Sequence, residues 1–279
     1  YYGYSPERVN PGDKVNTISN TIKVTSGSNK YIAKWISKFY SSFIKNETYS
    51  AHNIKTAEAA KLIENIQRDV NIALINEFVI ICSKLGISSY DVLNAASTKW
   101  NFLNFKPGLV GGHCVGVDSY YLINKLLEEG YKPKIISIAR EVNENMASWI
   151  FDRIILELAK VGKLIKDSKI LIMGFAFKEN CSDIRNTKIY ELVKLIKNQN
   201  LNYEIFDPKV NINEVKEKYK LKLLNSLNGN NSYDVVIVLL SHNDFIKMKL
   251  KDWKSLIKKD GIFFDFKGFL NPKLNPVRI

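Results

Sequence analysis

The sequence predicts an α/β chain in two main parts, a helical block built on one long helix and then a block in which strands and helices alternate. Two observations carry this. The stretch TAEAAKLIENIQRDVNIALINEFVIICSKLG keeps a helical pattern from Thr56 to Gly86. From about Ser168 the rhythm changes to short apolar runs separated by helical segments, the mark of a parallel sheet covered on both faces. With 279 residues the chain is long enough for more than one buried core.

The opening YYGYSPERVNPGD reads as a short strand-like stretch running into a Pro/Gly turn, TIKV as a strand, and YIAKWISKFYSSFI as an amphipathic helix. Thr56 can cap the long helix and Gly86 can end it. Helices are also expected at SSYDVLNAAS, SYYLINKLLEEG and IISIAREVNENMASWIFDRIILELAKVG. In the last part KILIMGFAF, NYEIFDP, VVIVLL and GIFFDF read as strands, with TKIYELVKLIKNQN as a helix after the first of them.

Composition narrows the function classes. Hydrophobic residues make up 46% and charged residues 25%, the balance of an ordinary globular protein. No apolar run reaches the length needed to cross a bilayer, and the first residues are neither a signal nor a transit peptide, so no membrane role is expected. Three cysteines (Cys82, Cys114 and Cys181) without a CxxC spacing argue against a disulfide framework or a zinc site, and point to a reducing, cytoplasmic setting. The net charge of +13 admits a nucleic-acid partner, but the lysines are dispersed and not interleaved with aromatics; a polyanionic nucleotide ligand accounts for them equally well. Nucleic-acid binding is not expected.

Three segments can carry chemistry. In GLVGGHCVGVDSYYL, glycines precede Cys114 and leave the backbone free to approach a ligand. A thiol near a helix start is readily ionised, and the thiolate is the nucleophile. Asp118, four residues on, can position or deprotonate water, and either Asp118 or Ser119 can cap the following helix. Cys82, inside FVIICSKL, reads as a buried small hydrophobe. His113, His52 and His242 are read as non-catalytic. On the long helix Lys61, Asn65, Arg68, Ile72 and Asn76 fall within roughly 80° of one another. That polar row is either an internal network, with Arg68 on a carboxylate and Asn76 on backbone, or a face whose Lys61/Asn65 end borders a ligand. In the third, GFAFKENCSDIRNTK, Lys178 and Arg185 lie on a loop between a strand and a helix, where open α/β sheets bind ligands and phosphate finds donors.

SPERVNPGD, AEAAKLIENIQRDVNIALINE, TKWNFLNFKPGLVGGHCVGVDSYYL, GFAFKENCSDIRN and FDP, in this order, resemble the UDP-glucose/UDP-mannosamine dehydrogenase superfamily, in wording closest to bacterial UDP-N-acetylglucosamine and UDP-N-acetylgalactosamine 6-dehydrogenases of surface-polysaccharide biosynthesis. The resemblance implies oxidation of a sugar C6 alcohol to the carboxylate with NAD, a UDP-sugar substrate and a homodimer. It implies that Cys114 forms a thiohemiacetal and then a thioester, that Lys61 and Asn65 steady the oxyanion, that Asp118 is tied to the lysine and the water, and that Glu7 acts in thioester hydrolysis. Phe105 to Gly111 would lie along the sugar nucleotide, Lys178 and Lys267 would contact substrate, and Arg185 would reach NAD. Where the family carries a second acid four positions after the SPE glutamate this chain has Pro11, and the arginine that the family sends across the dimer is here either Lys99 or Lys106.

The resemblance divides the chain into residues 1–55, the end of an NAD-binding Rossmann domain, residues 56–164, a helical central domain, and residues 165–279, a Rossmann-like UDP-sugar domain. No GxGxxG follows a strand, so most of the NAD site is expected to lie outside these residues, and the 279 residues alone are expected not to turn over. UDP-glucose or UDP-N-acetylmannosamine oxidation, or a non-catalytic nucleotide-sugar-binding remnant, are the alternatives.

Overall fold

The computed structural model describes residues 1–9, 17–230 and 232–278; the Pro11 position lies outside them. A first small sheet holds β1 (Gly3–Tyr4), β2 (Lys23–Gly27) and β3 (Thr48–Ser50), with β1 antiparallel and β3 parallel to the central β2. Helix α1 (Lys30–Ser41) covers it, the backbone of Gly27 lying so close to Ile32 and Ala33 that a Cβ there would clash. The third strand was not foreseen in the sequence. It is three residues long, and TYS has no alternating pattern to mark it.

The long helix α2 spans Ile54–Leu85, 32 residues or about 48 Å. Its N-cap is Asn53, not the expected Thr56: the Asn53 side chain accepts the Thr56 N–H at 2.8 Å and its hydroxyl at 3.0 Å, so the helix begins one turn earlier. Gly86 ends it as expected, in the left-handed region at φ 70° with its N–H on Cys82 O. Helices α3 (Ser89–Ala96), α4 (Val115–Glu128) and α5 (Lys134–Lys160) follow, and α2 packs along both α4 and α5. Helix α4 also starts early. Cys114 itself holds the N-cap position, and Asp118 and Ser119 fall inside the helix instead of capping it.

The last part is a five-stranded, all-parallel sheet of β4 (Lys169–Met173), β5 (Asn202–Phe206), β6 (Tyr233–Val238), β7 (Ile257–Asp265) and β8 (Val277–Arg278), in the order β5-β4-β6-β7-β8. Residue parity sorts its two cores. Ile170, Ile172, Val235, Ile237 and Phe264 pack with Met146, Ile150 and Ile154 of α5 and with α6 (Ile189–Asn198). Leu171, Met173, Val236, Val238 and Phe263 point the other way, onto Phe245 and Trp253 of α8 (Asn243–Ile246) and α9 (Leu250–Lys254). Burial on both faces is why these strands read as unbroken apolar runs. Helix α7 (Ile212–Tyr219) completes the set. Because α5 contributes to the sheet's own core, the helical block and the sheet share hydrophobic packing. The chain leaves β4 to form β5 on one side and β6 on the other, so the loops after β4 and β6 flank a topological switch point.

At the opposite, amino-terminal edge, Asp234 of β6 accepts from Lys163 at 2.9 Å, Lys258 at 2.7 Å and the Lys169 N–H at 2.9 Å. Burial pushes its carboxyl up, but these donors outweigh burial and hold it at about 2. A carboxyl depressed in the folded state stabilises above its ordinary unfolded pKa, and that stability is lost as pH falls from about 4 toward 2. Asp234→Asn is therefore expected to cost about 2 kcal/mol near neutrality, at about 1.4 kcal/mol per pKa unit, and to flatten the acid limb of the stability curve. Urea unfolding across pH 2–7 checks both.

Candidate active site

A polar cluster buried inside the helical block underlies the site. Asp69, on α2, is fully buried, and its carboxylate accepts from Ser119 Oγ at 2.8 Å, Arg140 Nη1 at 2.6 Å and Asn143 Nδ2 at 2.7 Å. Asn76, two turns on, accepts the Gly108 N–H at 3.0 Å, donates to Gly108 O at 2.9 Å and donates to Asn143 Oδ1 at 2.8 Å. One network thus fixes α2, α4, α5 and the start of the glycine-rich loop. The Asn76–backbone contact is the one the polar row led us to expect. Arg68, in contrast, is exposed, and the buried charge is its neighbour Asp69. Asp69 lies roughly 80° from Lys61 around the helix, so an acid in an otherwise apolar stretch was the available signal. Burial disfavours the Arg140 charge, but Asp69, Tyr120 and Glu144 outweigh it and raise its pKa.

Asp118, one residue before Ser119, accepts from Asn65 Nδ2 at 2.6 Å. Its side chain bonds to Asn65 and, among the described residues, shows no bond to Lys61. Cys114 lies one turn earlier, its carbonyl accepting the N–H of Asp118 at 2.8 Å and of Val117 at 2.9 Å. Cys114 thus holds the N-cap position of α4, and its half-buried thiol makes no capping bond to the N–H groups of the first turn. Tyr4, from the first sheet, lies within electrostatic reach of Asp118 and Glu58. Glu7 accepts the N–H of Val9 at 2.7 Å and of Arg8 at 2.8 Å, and lies 3.9 Å from Lys23 Nζ. The Val9 N–H, with Lys23, Arg8 and Lys61, holds the Glu7 carboxyl below its ordinary value despite partial burial, which places the half-buried Lys61 ammonium in its field. Asn65 thus joins α2 to the start of α4, and Lys61, one turn before Asn65, lies in the field of Glu7.

The sheet closes the other side. Arg185 is half-exposed, clasped to Asp183 at 2.9 Å and 2.5 Å, and within electrostatic reach of Cys114. Lys267, after β7, pairs with Glu179 at 2.7 Å and donates to Pro107 O at 3.1 Å, tying the loop from Phe105 to Gly111 to the loop that carries Lys178. Phe105 is half-buried, and Lys178 Nζ lies 5.4 Å from the Phe177 ring centroid. Lys99 and Lys106 are both exposed. Gly111 allows no side chain: a Cβ would sit 2.5 Å from Asn186 O and 3.1 Å from Lys188 N.

Sequence reasoning also passed over Asp207 and His242. Asp207, from the FDP segment, accepts the N–H groups of Phe175 at 2.6 Å and Ala176 at 2.9 Å, and so sets the path of the loop after β4. His242 is fully buried, not in a plain loop: Nδ1 accepts the Asn180 N–H at 2.9 Å, and Nε2, 3.1 Å from Asp207 Oδ2, carries the proton that joins them. A cleft of about 370 Å³ runs behind the glycine-rich loop, bordered by Gly111, Gly112, Gly116, Glu144 and Lys188. Cys114, Lys61 and Asp118 do not line it. Its position marks a join between the two blocks and not the thiol site.

Among the described residues, the partly exposed Arg185 guanidinium, clasped by Asp183, is a group of the kind that suits a phosphate of the cofactor implied by the resemblance. No group of metal-binding side chains occurs among the described residues.

Two family models match: residues 55–145 fit the central domain of the UDP-glucose/GDP-mannose dehydrogenase family, and residues 171–272 its UDP binding domain. The chain is 46% identical to protein CapL of Staphylococcus aureus over 97% of its length and 63% of CapL. It is 45% identical to the UDP-N-acetyl-D-glucosamine 6-dehydrogenase of Salmonella typhi, over 100% of its length and 65% of that protein. It spans just under two thirds of these relatives. Among solved structures, UDP-D-ManNAc dehydrogenase from Pyrococcus horikoshii superposes with a TM-score of 0.84 at 26% identity, over 99% of this chain and 62% of that one.

Removing one partner from a buried ion pair costs about 3–5 kcal/mol, because the other charge is left without compensation. Asp69→Ala is expected to lower unfolding free energy by that amount in urea denaturation; a loss under about 1 kcal/mol would mean the cluster is not what fixes these helices.

Proposed function

This chain belongs to the UDP-glucose/GDP-mannose dehydrogenase family, and on that footing we propose that the complete protein oxidises the C6 hydroxyl of a UDP-N-acetylhexosamine of the N-acetylglucosamine or N-acetylgalactosamine type to the carboxylate, for surface-polysaccharide biosynthesis. What supports the reading is that Asn65, one turn after Lys61 on α2, donates to Asp118, which lies one turn into α4 from Cys114, while Arg185 is within electrostatic reach of that cysteine. The choice of sugar is supported by 45% and 41% identity to two UDP-N-acetyl-D-glucosamine 6-dehydrogenases, against 33% or less for the UDP-N-acetyl-D-mannosamine dehydrogenases of methanogens.

In this reading the Cys114 thiolate attacks the C6 aldehyde to give a thiohemiacetal, whose oxidation leaves a thioester that water then opens. Lys61 and Asn65 stabilise the oxygen as it gains charge. Asp118, held by Asn65, orients water or takes its proton, and Glu7 assists hydrolysis. NAD, if bound with Arg185 on a phosphate, would supply the hydride acceptor that each of the two oxidations needs. A covalent thioester keeps the aldehyde from escaping, which is the physical reason for a cysteine here. Lys178, Lys267, Phe105 and Gly111 hold the UDP-sugar, at the carboxyl ends of the strands where open α/β sheets take ligands, and Arg185 reaches NAD. Most of the NAD site lies outside these 279 residues, which alone do not turn over.

The division into residues 1–55, 56–164 and 165–279 belongs to the same proposal, as does a homodimer. Ile63, Leu74, Ile81 and Leu85 are exposed on α2 at separations of whole helical turns, an apolar stripe that suits a second copy of the helix. Among the described residues no helix is long and apolar enough to cross a membrane.

The test uses the complete protein with UDP-N-acetylglucosamine. Wild type is expected to reduce two NAD⁺ per sugar, and Cys114→Ser to form no uronate. Uronate at the normal rate from Cys114→Ser would refute the mechanism. Steady NADH production by the 279-residue chain alone would refute the placing of the NAD site.

A further inference from the structure

The glycine-rich loop that carries Cys114 does not rest on its own helices alone. Gly112 N donates to Asn186 O at 3.3 Å, Asn186 Nδ2 lies 3.4 Å from Gly112 O, and Gly111 packs flat on the backbone of residues 186–188. That stretch belongs to the sheet block and forms the platform on which the thiol loop lies. Thr187 ties the platform to Ala176 within the sheet block, and the side chain that ties it to α5 is Lys188. Lys188, in the N-cap position of α6, bonds to Glu144 of α5, whose other carboxylate oxygen accepts from the buried Arg140. Arg140 is in turn paired with Asp69. Burial pushes the Glu144 carboxyl up, but Lys188 and Arg140 outweigh it and bring the carboxyl below its ordinary value.

We propose that Lys188 and Glu144 are positioning residues: their ion pair latches the 186–188 platform of the sheet block to α5, and through the platform sets the placement of the loop bearing Cys114. The pair differs from an ordinary surface bridge. Glu144 serves two cations at once, one of them fully buried, and so the last link of a continuous charge chain runs from Asp69 beside Ser119 to Lys188 beneath Gly111. The cleft behind the loop, which Glu144 and Lys188 both line, gives the platform room to shift once the latch is broken. Isolated exposed pairs are worth little, whereas members of one network couple.

For its kinetic consequence the inference rests on the dehydrogenase reading; its structural content does not. The first test therefore needs no turnover. Iodoacetamide labelling of the 279-residue chain is followed by peptide mass spectrometry, which reads Cys114, Cys181 and Cys82 separately. Lys188→Met is expected to change the Cys114 labelling rate about threefold or more, and Lys188→Arg, which keeps the charge on Glu144, to leave it near wild type. Cys82 is fully buried and reports the fold: it stays protected in both. An unchanged Cys114 rate in Lys188→Met, or an equal change in Lys188→Arg, overturns the latch.

The second test uses the complete protein. Lys188→Met and Glu144→Gln each are expected to lower kcat about tenfold, to leave the KM for UDP-sugar within about twofold, and to combine without adding. The split follows because Lys178 and Lys267, the charged members of the proposed UDP-sugar contacts, sit on the sheet block, while Cys114 lies on the loop that the platform places. Additive losses, or a rise in KM at constant kcat, would contradict it. If the wild-type complete protein reduces no NAD⁺ with any UDP-sugar, the functional reading fails, and the labelling experiment still decides the latch.

Discussion

A carboxylate with no access to water must be surrounded by donors, and Asp69 is the residue that imposes this condition here. Its three donors come from α4 and α5, while it sits on α2, so the three longest helices of the helical block meet at one charge. Apolar packing alone leaves helices free to slide or rotate at small cost. A buried ion pair with directional hydrogen bonds does not, because a shift of register strands Asp69 or Arg140 without a partner. The side chains proposed to act are indexed to this point: Ser119 touches Asp69, Asp118 precedes Ser119, and Cys114 lies one turn before Asp118.

The second constraint is the closeness of two backbones. Gly111 and Gly112 meet residues 186–188 and the Phe177 ring at distances no side chain tolerates. Gly112 also adopts φ 86°, a conformation that favours glycine. A loop this tightly apposed moves with whatever it lies on. The helical block therefore aims Asp118 and Asn65, while the sheet block sets part of the geometry of Cys114. Lys267 repeats the pattern further out, joining Pro107 O to Glu179 across the same seam.

How much of this was legible beforehand varied with the kind of signal. The parallel sheet was, because β4, β6 and the second half of β7 are buried on both faces and read as apolar runs. Gly86 was legible as a helix stop, since only a left-handed turn uses a glycine there. The helix starts were less so: Asn53 and Thr56 are both good caps, and Cys114 makes no capping bond from its side chain, so nothing in the composition marked α4's true beginning. Short strands such as β3 and β8 are fixed by their neighbours and have no pattern of their own. At the candidate site, the sequence led to residues one helical turn apart, such as Lys61 with Asn65 and Cys114 with Asp118, but not to Arg140, Glu144 and Lys188. Their partners lie far along the chain, and a single sequence read by period cannot see a pairing of that range. Asp207 and His242 escaped for the same reason: His242 was read only as non-catalytic, and its place as the buried brace of the loop after β4 rests on partners far along the chain.

In the proposed mechanism a sulfur atom carries the sugar carbon between two oxidations. The most direct measurement is intact and peptide mass spectrometry of the complete protein with Glu7→Gln, mixed with UDP-N-acetylglucosamine and NAD⁺ and quenched in acid. Slowed hydrolysis is predicted to leave a uronyl adduct on the peptide containing Cys114, released by hydroxylamine. Formation of uronate with that peptide unmodified at every time point would contradict it.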